Sequence, residues 1–152
     1  MGNLEQAISE WREAWIAKLI PRSQHPALFW AAVADRLIAD RRKLGHDPLC
    51  PIEHSILESS DAFKMLFERN QEAINLEMTG RIEEALILYE AGVADCFSSV
   101  SPYDRLRSIY TTRSWYQDAL RVCLDYVAQP ERPGLESHEY FRAHVAQLVN
   151  RL

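Results

Sequence analysis

Glycine is scarce in this chain: there are five in 152 residues, none in a glycine-rich loop. That scarcity suits helices joined by short connections better than a sheet with many tight turns. Cysteine is also sparse. Cys50, Cys96 and Cys123 are an odd number without paired spacing, which speaks against a disulfide framework and for free thiols in a reducing compartment. No apolar run approaches the ~18 residues of a membrane span. Residues 1–6 (Met-Gly-Asn-Leu-Glu-Gln) lead straight into charged amphipathic sequence without a signal-peptide apolar region. A cytoplasmic protein with no membrane partner is expected. An excess of positive charge is missing too: the net charge is -5 with a pI near 5.5, divided as -2 over residues 1–76 and -3 over residues 77–152. A duplex-binding surface usually shows as a basic domain or stripe, because its affinity comes from neutralising phosphates. Nucleic acid is therefore not the expected partner.

What is present is a globular composition. Hydrophobic residues at 47% and charged ones at 26% allow a sizeable core within one domain of ordinary size. Its expected parts are an N-terminal helical hairpin (1–45), a central pair of hairpins (52–128) and a final helix (137–151).

The periodicity is helical throughout. Leu4, Ala7, Ile8, Trp11, Trp15 and Leu19 recur at three- and four-residue steps. Asn3 and Gln6 suggest a capping box at the start of this helix, and Pro21 ends it near Ile20. A second stripe, Trp30, Val33, Ala34, Leu37 and Ile38, follows the His25-Pro26 start and closes at Gly45. Pro48 and Pro51 make residues 46–51 a connector. Helical sequence resumes from about Ile52, with Ser59 or Ser60 as a cap and Phe63, Leu66, Phe67, Ile74 and Leu76 as its apolar set. Ile82, Ala85, Leu86, Leu88, Tyr89 and Val93 form the next helix, ending near Asp95. Ser101-Pro102-Tyr103-Asp104 reads as a capped start with proline in the first turn. Leu106, Ile109 and Tyr110 follow, then a turn at 112–114. Tyr116, Ala119, Leu120, Val122, Cys123 and Val127 form the partner helix. Ser137 is the expected cap of a last helix carrying Tyr140, Phe141, Val145, Leu148 and Val149.

Gly80-Arg-Ile-Glu-Glu-Ala85-Leu-Ile-Leu-Tyr89 overlays Ser114-Trp-Tyr-Gln-Asp-Ala119-Leu-Arg-Val-Cys123 at an offset of 34 residues. This spacing resembles the turn and second helix of the tetratricopeptide repeat family. Gly80 relaxes the turn, and the small Ala85 and Ala119 permit close helix approach. Leu76, Tyr110 and Leu106 fall at places where the family has bulky apolar residues. The pattern departs from the family at Glu72 (usually leucine), Arg69 (often tryptophan), Ser114 (usually glycine) and Tyr126 (usually small, where the first copy has Gly92). The resemblance covers residues 64–128. It implies an all-α stack of antiparallel hairpins, a short α-α superhelix, completed by the N-terminal hairpin and the C-terminal helix, since two repeats close a core poorly alone. Phe97, in the linker before Pro102-Tyr103-Asp104-Arg105-Leu106, is expected to plug the space between hairpins, with Tyr103 packed and Arg105 either structural or facing the groove.

In that family the first helix of each repeat lines a concave groove for a peptide or partner helix. Carried over, the groove residues are Phe67, Asn70, Ile74 and Glu77, then Ser101, Asp104, Arg105 and Ser108. Glu77 and Asp104 would oppose an anionic terminus, so an acidic C-terminal peptide is not the expected ligand.

Other constellations have simpler readings. His46, Cys50 and His54 are ligand types at four-residue spacing, but Pro48 and Pro51 prevent a shared helical face, so no metal is expected. Cys123 lies on an apolar stripe, and no ordered Cys, His and acid set indicates a nucleophile. Trp11, Trp15 and Trp30 sit on apolar stripes as core, whereas Trp115 beside a turn is expected to be exposed. Arg41-Arg42-Lys43 complements a helix C-terminus. Arg105, Arg107, Arg113 and Arg121 are interleaved with Asp104, Asp118 and Asp125 and read as solvated ion pairs. The expectation is a non-enzymatic interaction module without cofactors that binds another protein or peptide, or itself as a homodimer. The alternatives are a regulator contacting nucleic acid through a local arginine surface, and an enzyme whose residues converge from separate helices.

Overall fold

A computed structural model describes residues 2–50, 52, 60–132, 134 and 136–152. Among these residues there are seven α-helices and no strand: α1 (Gly2–Leu19), α2 (Ala27–Leu44), α3 (Asp61–Met78), α4 (Ile82–Ala94), α5 (Val100–Thr112), α6 (Tyr116–Val127) and α7 (Ser137–Val149). A single 3-10 turn, Ile20–Arg22, follows α1 where Pro21 interrupts it. The all-α class read from the periodicity is the observed one. Three-residue connections join α3 to α4 and α5 to α6 as antiparallel hairpins, and α3 with α4, α5 with α6, and α6 with α7 form the closest pairs.

The 34-residue correspondence extends to the backbone. At the end of α3 the Arg81 N–H donates to the Leu76 carbonyl at 2.9 Å and Gly80 N–H to Glu77 at 3.1 Å; at the end of α5 Trp115 N–H donates to Tyr110 at 2.7 Å and Ser114 N–H to Thr111 at 3.0 Å. This is the closing motif in which a left-handed residue satisfies the last free carbonyls. Gly80 (φ 85°) and Ser114 (φ 61°) are those residues, so the second copy keeps the turn without the glycine. The next residues, Arg81 (φ -87°, ψ 64°) and Trp115 (φ -90°, ψ 65°), share one conformation. Gly45 closes α2 in the same way and Cys96 (φ 56°) closes α4, with Phe97 N–H on the Gly92 carbonyl at 2.9 Å.

Three expected caps are corrected. α1 begins at Gly2, and the Gln6 amide donates to Glu10 instead of reaching back to Asn3, so no capping box forms. Ser99, not Ser101, caps α5 by accepting from the Ser101 N–H. Ser137 is the first residue of α7, and its hydroxyl pairs with Tyr126. Ser60 does cap α3, accepting from Phe63 N–H at 3.0 Å; Ser59 lies outside the described residues.

The main core joins Trp30, Val33 and Leu37 of α2 to Leu86 and Tyr89 of α4, Leu106 and Tyr110 of α5, Val122 and Tyr126 of α6, and Phe141 of α7. Ala85 and Ala119 are fully buried, in keeping with close helix approach. Phe97 is buried in a second cluster with Ile52 and Leu66, edge-on to Phe63, so it packs on α3 and beside Leu44 of α2. Tyr103 is buried against Tyr126. Truncating one such fully buried large apolar side chain costs ~2–5 kcal/mol. Tyr140 and Val149, read as core, are exposed instead, and Trp115 is half-buried, stacked on Tyr110 and set against His25. Trp15 stacks on Trp11 and meets Trp30 edge-on at 5.8 Å.

Two buried charge networks fasten the N-terminal hairpin to the rest. In the first, Asp95 at the end of α4 accepts from Arg41 of α2 (2.9 and 2.5 Å) and from Arg69 of α3 (2.7 Å), while Arg69 also reaches Asp40 of α2 at 3.0 Å. Arg41 additionally donates to the Pro48 and Cys50 carbonyls, which ties down the connector. In the second, Arg121 of α6 makes a bidentate pair with Glu90 of α4 and reaches Asp118; Tyr110 donates to Glu90, and Asp118 accepts from Gln24 N–H. His25 bonds Tyr110 at 2.8 Å. Because the Tyr110 proton goes to Glu90, His25 Nε2 is the donor. Two sequence readings are corrected here: Arg41 is buried rather than merely complementing a helix dipole, and Arg121 is buried rather than solvated.

Candidate interaction groove

Helices α3, α5 and α7 lie side by side, bridged by side chains rather than by close backbone contact. Asn70 of α3 donates to the Ser101 hydroxyl of α5 at 3.0 Å. Glu77 of α3 accepts from Arg105 of α5 (Nε at 3.0 Å, and a second contact from Nη2) and from the Tyr89 hydroxyl at 2.7 Å. Asp104 of α5 accepts from Arg107 and from the Tyr140 hydroxyl of α7, both at 2.9 Å. These bridges span the face between neighbouring helices. They leave shallow depressions there, one of about 310 Å³ over Phe63, Lys64, Phe67 and Glu68, and one of about 630 Å³ between Val100 and Asp104 of α5 and Glu136, Glu139, Tyr140 and Ala143 of α7.

The residues assigned to the groove from sequence divide into two kinds. Phe67 is 47% exposed and stacks on Phe63, with ring centres 6.3 Å apart. Asp104, Arg105 and Ser108 are half-buried on α5, and Glu77 is half-buried on α3. Asn70, however, is buried and spends its amide on Ser101, while Ile74 packs against the main core. Both act more on the spacing of α3 and α5 than on the open face. Tyr140 belongs on the face and was missed. Its place in the apolar series of α7 suggested core, although it precedes the stripe residue Phe141 by one position and so points about a quarter turn away.

Electrostatically the centre of the face is neutralised, and at the α7 end Glu136 and Glu139 share a depression with Arg132, which donates to the Ser98 carbonyl, and Arg142, which pairs with Glu131. Arg105 holds the Glu77 carboxyl below the usual carboxylate range, with Tyr89 adding to the effect against the opposing influence of burial. The Tyr89 hydroxyl is pushed up, by burial first and then by Glu77. The carboxylates of Glu136 and Glu139, at the α7 end, have no hydrogen-bond or ion-pair partner among the described residues. The four arginines considered as a local basic surface are each tied to carboxylates: Arg105 to Glu77, Arg107 to Asp104, Arg113 to Glu83, and Arg121 to Glu90 and Asp118.

Among the described residues, no group of three or more His, Cys, Asp or Glu is placed to hold a metal ion. Of the set His46, Cys50 and His54, the last lies outside the described residues. Cys50 and Cys96 are exposed free thiols and Cys123 is a buried one; burial pushes the Cys123 thiol up to about 12 and raises that of Cys96, the opposite of what a nucleophile requires. No helix among the described residues is long and apolar enough to cross a membrane. Comparison with known proteins adds no relative: no family model, curated protein or solved structure matches this chain.

Proposed function

We propose that the chain is a non-enzymatic protein-interaction module of the tetratricopeptide kind, holding an extended peptide segment along the face formed by α3, α5 and α7. The observation that carries this reading is the half-exposed set Phe67, Glu77, Asp104, Arg105 and Ser108 on α3 and α5, which end in one repeated turn, together with Tyr140 on the neighbouring α7. Large aromatic side chains supply most of the contact energy in such interfaces, and polar side chains fix the register. With Glu77 and Arg105 satisfying each other and the Glu136 and Glu139 carboxylates without a partner among the described residues, the fitting segment carries an apolar or aromatic anchor for Phe67 and a basic residue for the α7 end. An anionic terminus is opposed by the same carboxylates. A nucleic-acid role draws no support, because the arginines it needs are already neutralised.

Selection from a random peptide display library tests this reading. The expected result is enrichment of peptides with aromatic and basic residues whose affinity falls about tenfold or more in Phe67→Ala or Glu139→Lys, while Leu124→Ser on α6 leaves it unchanged. Peptides that bind all three variants equally, or no enrichment, would overturn it.

A further inference from the structure

A second concave feature lies away from that face, between the N-terminal hairpin and the second helices α4 and α6. It is a cleft of about 300 Å³ whose wall includes Trp15 and Leu19 of the hairpin and Val93 and Ala94 of α4, with the Glu90–Arg121 pair at its base and Asp125 at its mouth. The volume is at the small end of those that hold organic ligands, and junctions between structural units are where such sites tend to occur. We infer that this cleft binds a small organic amine, with its ammonium group at Asp125 and its apolar body against Trp15, Leu19 and Ala94. The inference goes beyond the peptide-binding face and does not depend on it.

The charges choose the ligand. Both Glu90 oxygens are spent, Oε1 on Arg121 and Oε2 on Arg121 and Tyr110, so Glu90 has little left to offer a ligand. Both terminal nitrogens of Arg121 are likewise occupied by Glu90 and Asp118, while its Nε and the Trp30 indole N–H are buried donors with no hydrogen-bond partner among the described residues. Asp125 differs: although it can be reached by solvent, no hydrogen-bond or ion-pair partner lies beside it among the described residues. Its carboxyl is raised above the usual range, chiefly because the surrounding protein displaces water and further by Glu90, while Arg121, Arg22 and Lys18 pull the other way. A cation arriving at this acceptor regains the interaction that hydration no longer supplies. An anion would meet the Glu90 and Asp125 carboxylates in the cleft, with Arg121 committed to Glu90 and Asp118 and with Arg22 and Lys18 the smallest of the charge influences on Asp125. The indole of Trp15, half-buried and held by Trp11 and Trp30, offers a ring surface suited to an alkylammonium group or an aromatic body.

The test is a two-dimensional amide and indole NMR titration of the whole chain with 2-phenylethylamine, 2-phenylethanol and phenylacetate. The amine is expected to give saturable shifts at the Trp15 indole N–H and the Asp125 amide, and to bind more tightly than either analogue. Asp125→Asn, a change at an exposed rim position, should weaken the amine about tenfold and leave the alcohol unaffected. Equal binding of amine and alcohol, indifference of the amine to Asp125→Asn, or no saturation by about 10 mM amine, a concentration beyond ordinary weak affinity, would each overturn the assignment.

Discussion

Replacing Ser114 by glycine should stabilise the protein, although it removes a side chain. Ser114 sits at φ 61°, where an L-residue pays ~1–2 kcal/mol from the crowding of its Cβ. Glycine removes that strain but brings ~0.5–1 kcal/mol of extra backbone entropy to be lost on folding. The serine hydroxyl contributes little in return: it accepts from Tyr116 at 3.4 Å in an exposed setting. The net expectation is a gain of ~0.5–1 kcal/mol, read in guanidinium denaturation as a higher midpoint at unchanged slope. In a chain of this size that is a rise of ~2–4 °C per kcal/mol in Tm. Gly80→Ser is the reciprocal change at φ 85° and should lose a similar amount, despite open space for the added Cβ. Ala146→Gly, exposed within α7, controls for glycine itself and should lose ~1 kcal/mol. If Ser114→Gly destabilises as Ala146→Gly does, the two turns do not share one geometry and the argument fails.

Asp95→Ala should cost ~3–5 kcal/mol, because it strands Arg41 and Arg69 in the interior; Arg142→Ala, which breaks an exposed pair with Glu131, should cost less than ~1 kcal/mol, and equal losses by urea titration would contradict the burial argument. Burial lowers the His25 pKa, with Glu90 and Asp118 partly offsetting it, so the unfolded chain takes up the proton first as pH falls. The stability that His25 contributes is therefore complete above its ordinary value of 6.5 and is lost as pH drops through the lower folded value. Urea midpoints at pH 7.5 and 5.5 should differ less in His25→Gln than in the unmodified chain, and an unchanged difference would refute the assignment. Gly92→Ala should gain up to ~1 kcal/mol of helix propensity, since the new Cβ would meet Pro102 at 3.6 and 3.7 Å, ordinary contact distances; a lower Tm would show that α4 and α5 are closer than the structure places them.

The helices were legible because periodicity survives without tertiary information: the α2 stripe Trp30, Val33, Ala34, Leu37 and Ile38 is buried as read, and α6 has the expected limits. The inward-facing charges were harder to see. Arg41 lies four residues after Leu37 and three after Ile38, Arg69 three after Leu66, and Glu90 four after Leu86, so each continues a buried stripe. That spacing was the available signal. Their partners were not available, since Asp95 joins Arg41 across 54 residues and Glu90 joins Arg121 across 31. The tryptophan-to-arginine departure at position 69 also becomes intelligible, because α2 and the end of α4 supply Asp40 and Asp95 to receive it. On the groove face, Phe67 and Arg105 could be placed by analogy, whereas Asn70 and Ile74 turned inward because α5 comes close enough to bury one and the main core takes the other.

The central claim is that the face of α3, α5 and α7 is the one that meets a partner. The most direct measurement is the pattern of amide shifts in the isotopically labelled chain when a display-selected peptide is added to saturation. The account predicts that the largest shifts cluster at Phe67, Asp104, Arg105, Ser108 and Tyr140, with the α4 and α6 amides little changed. A cluster centred on Leu124 and the outer side of α6, or shifts scattered over the whole chain, would contradict it.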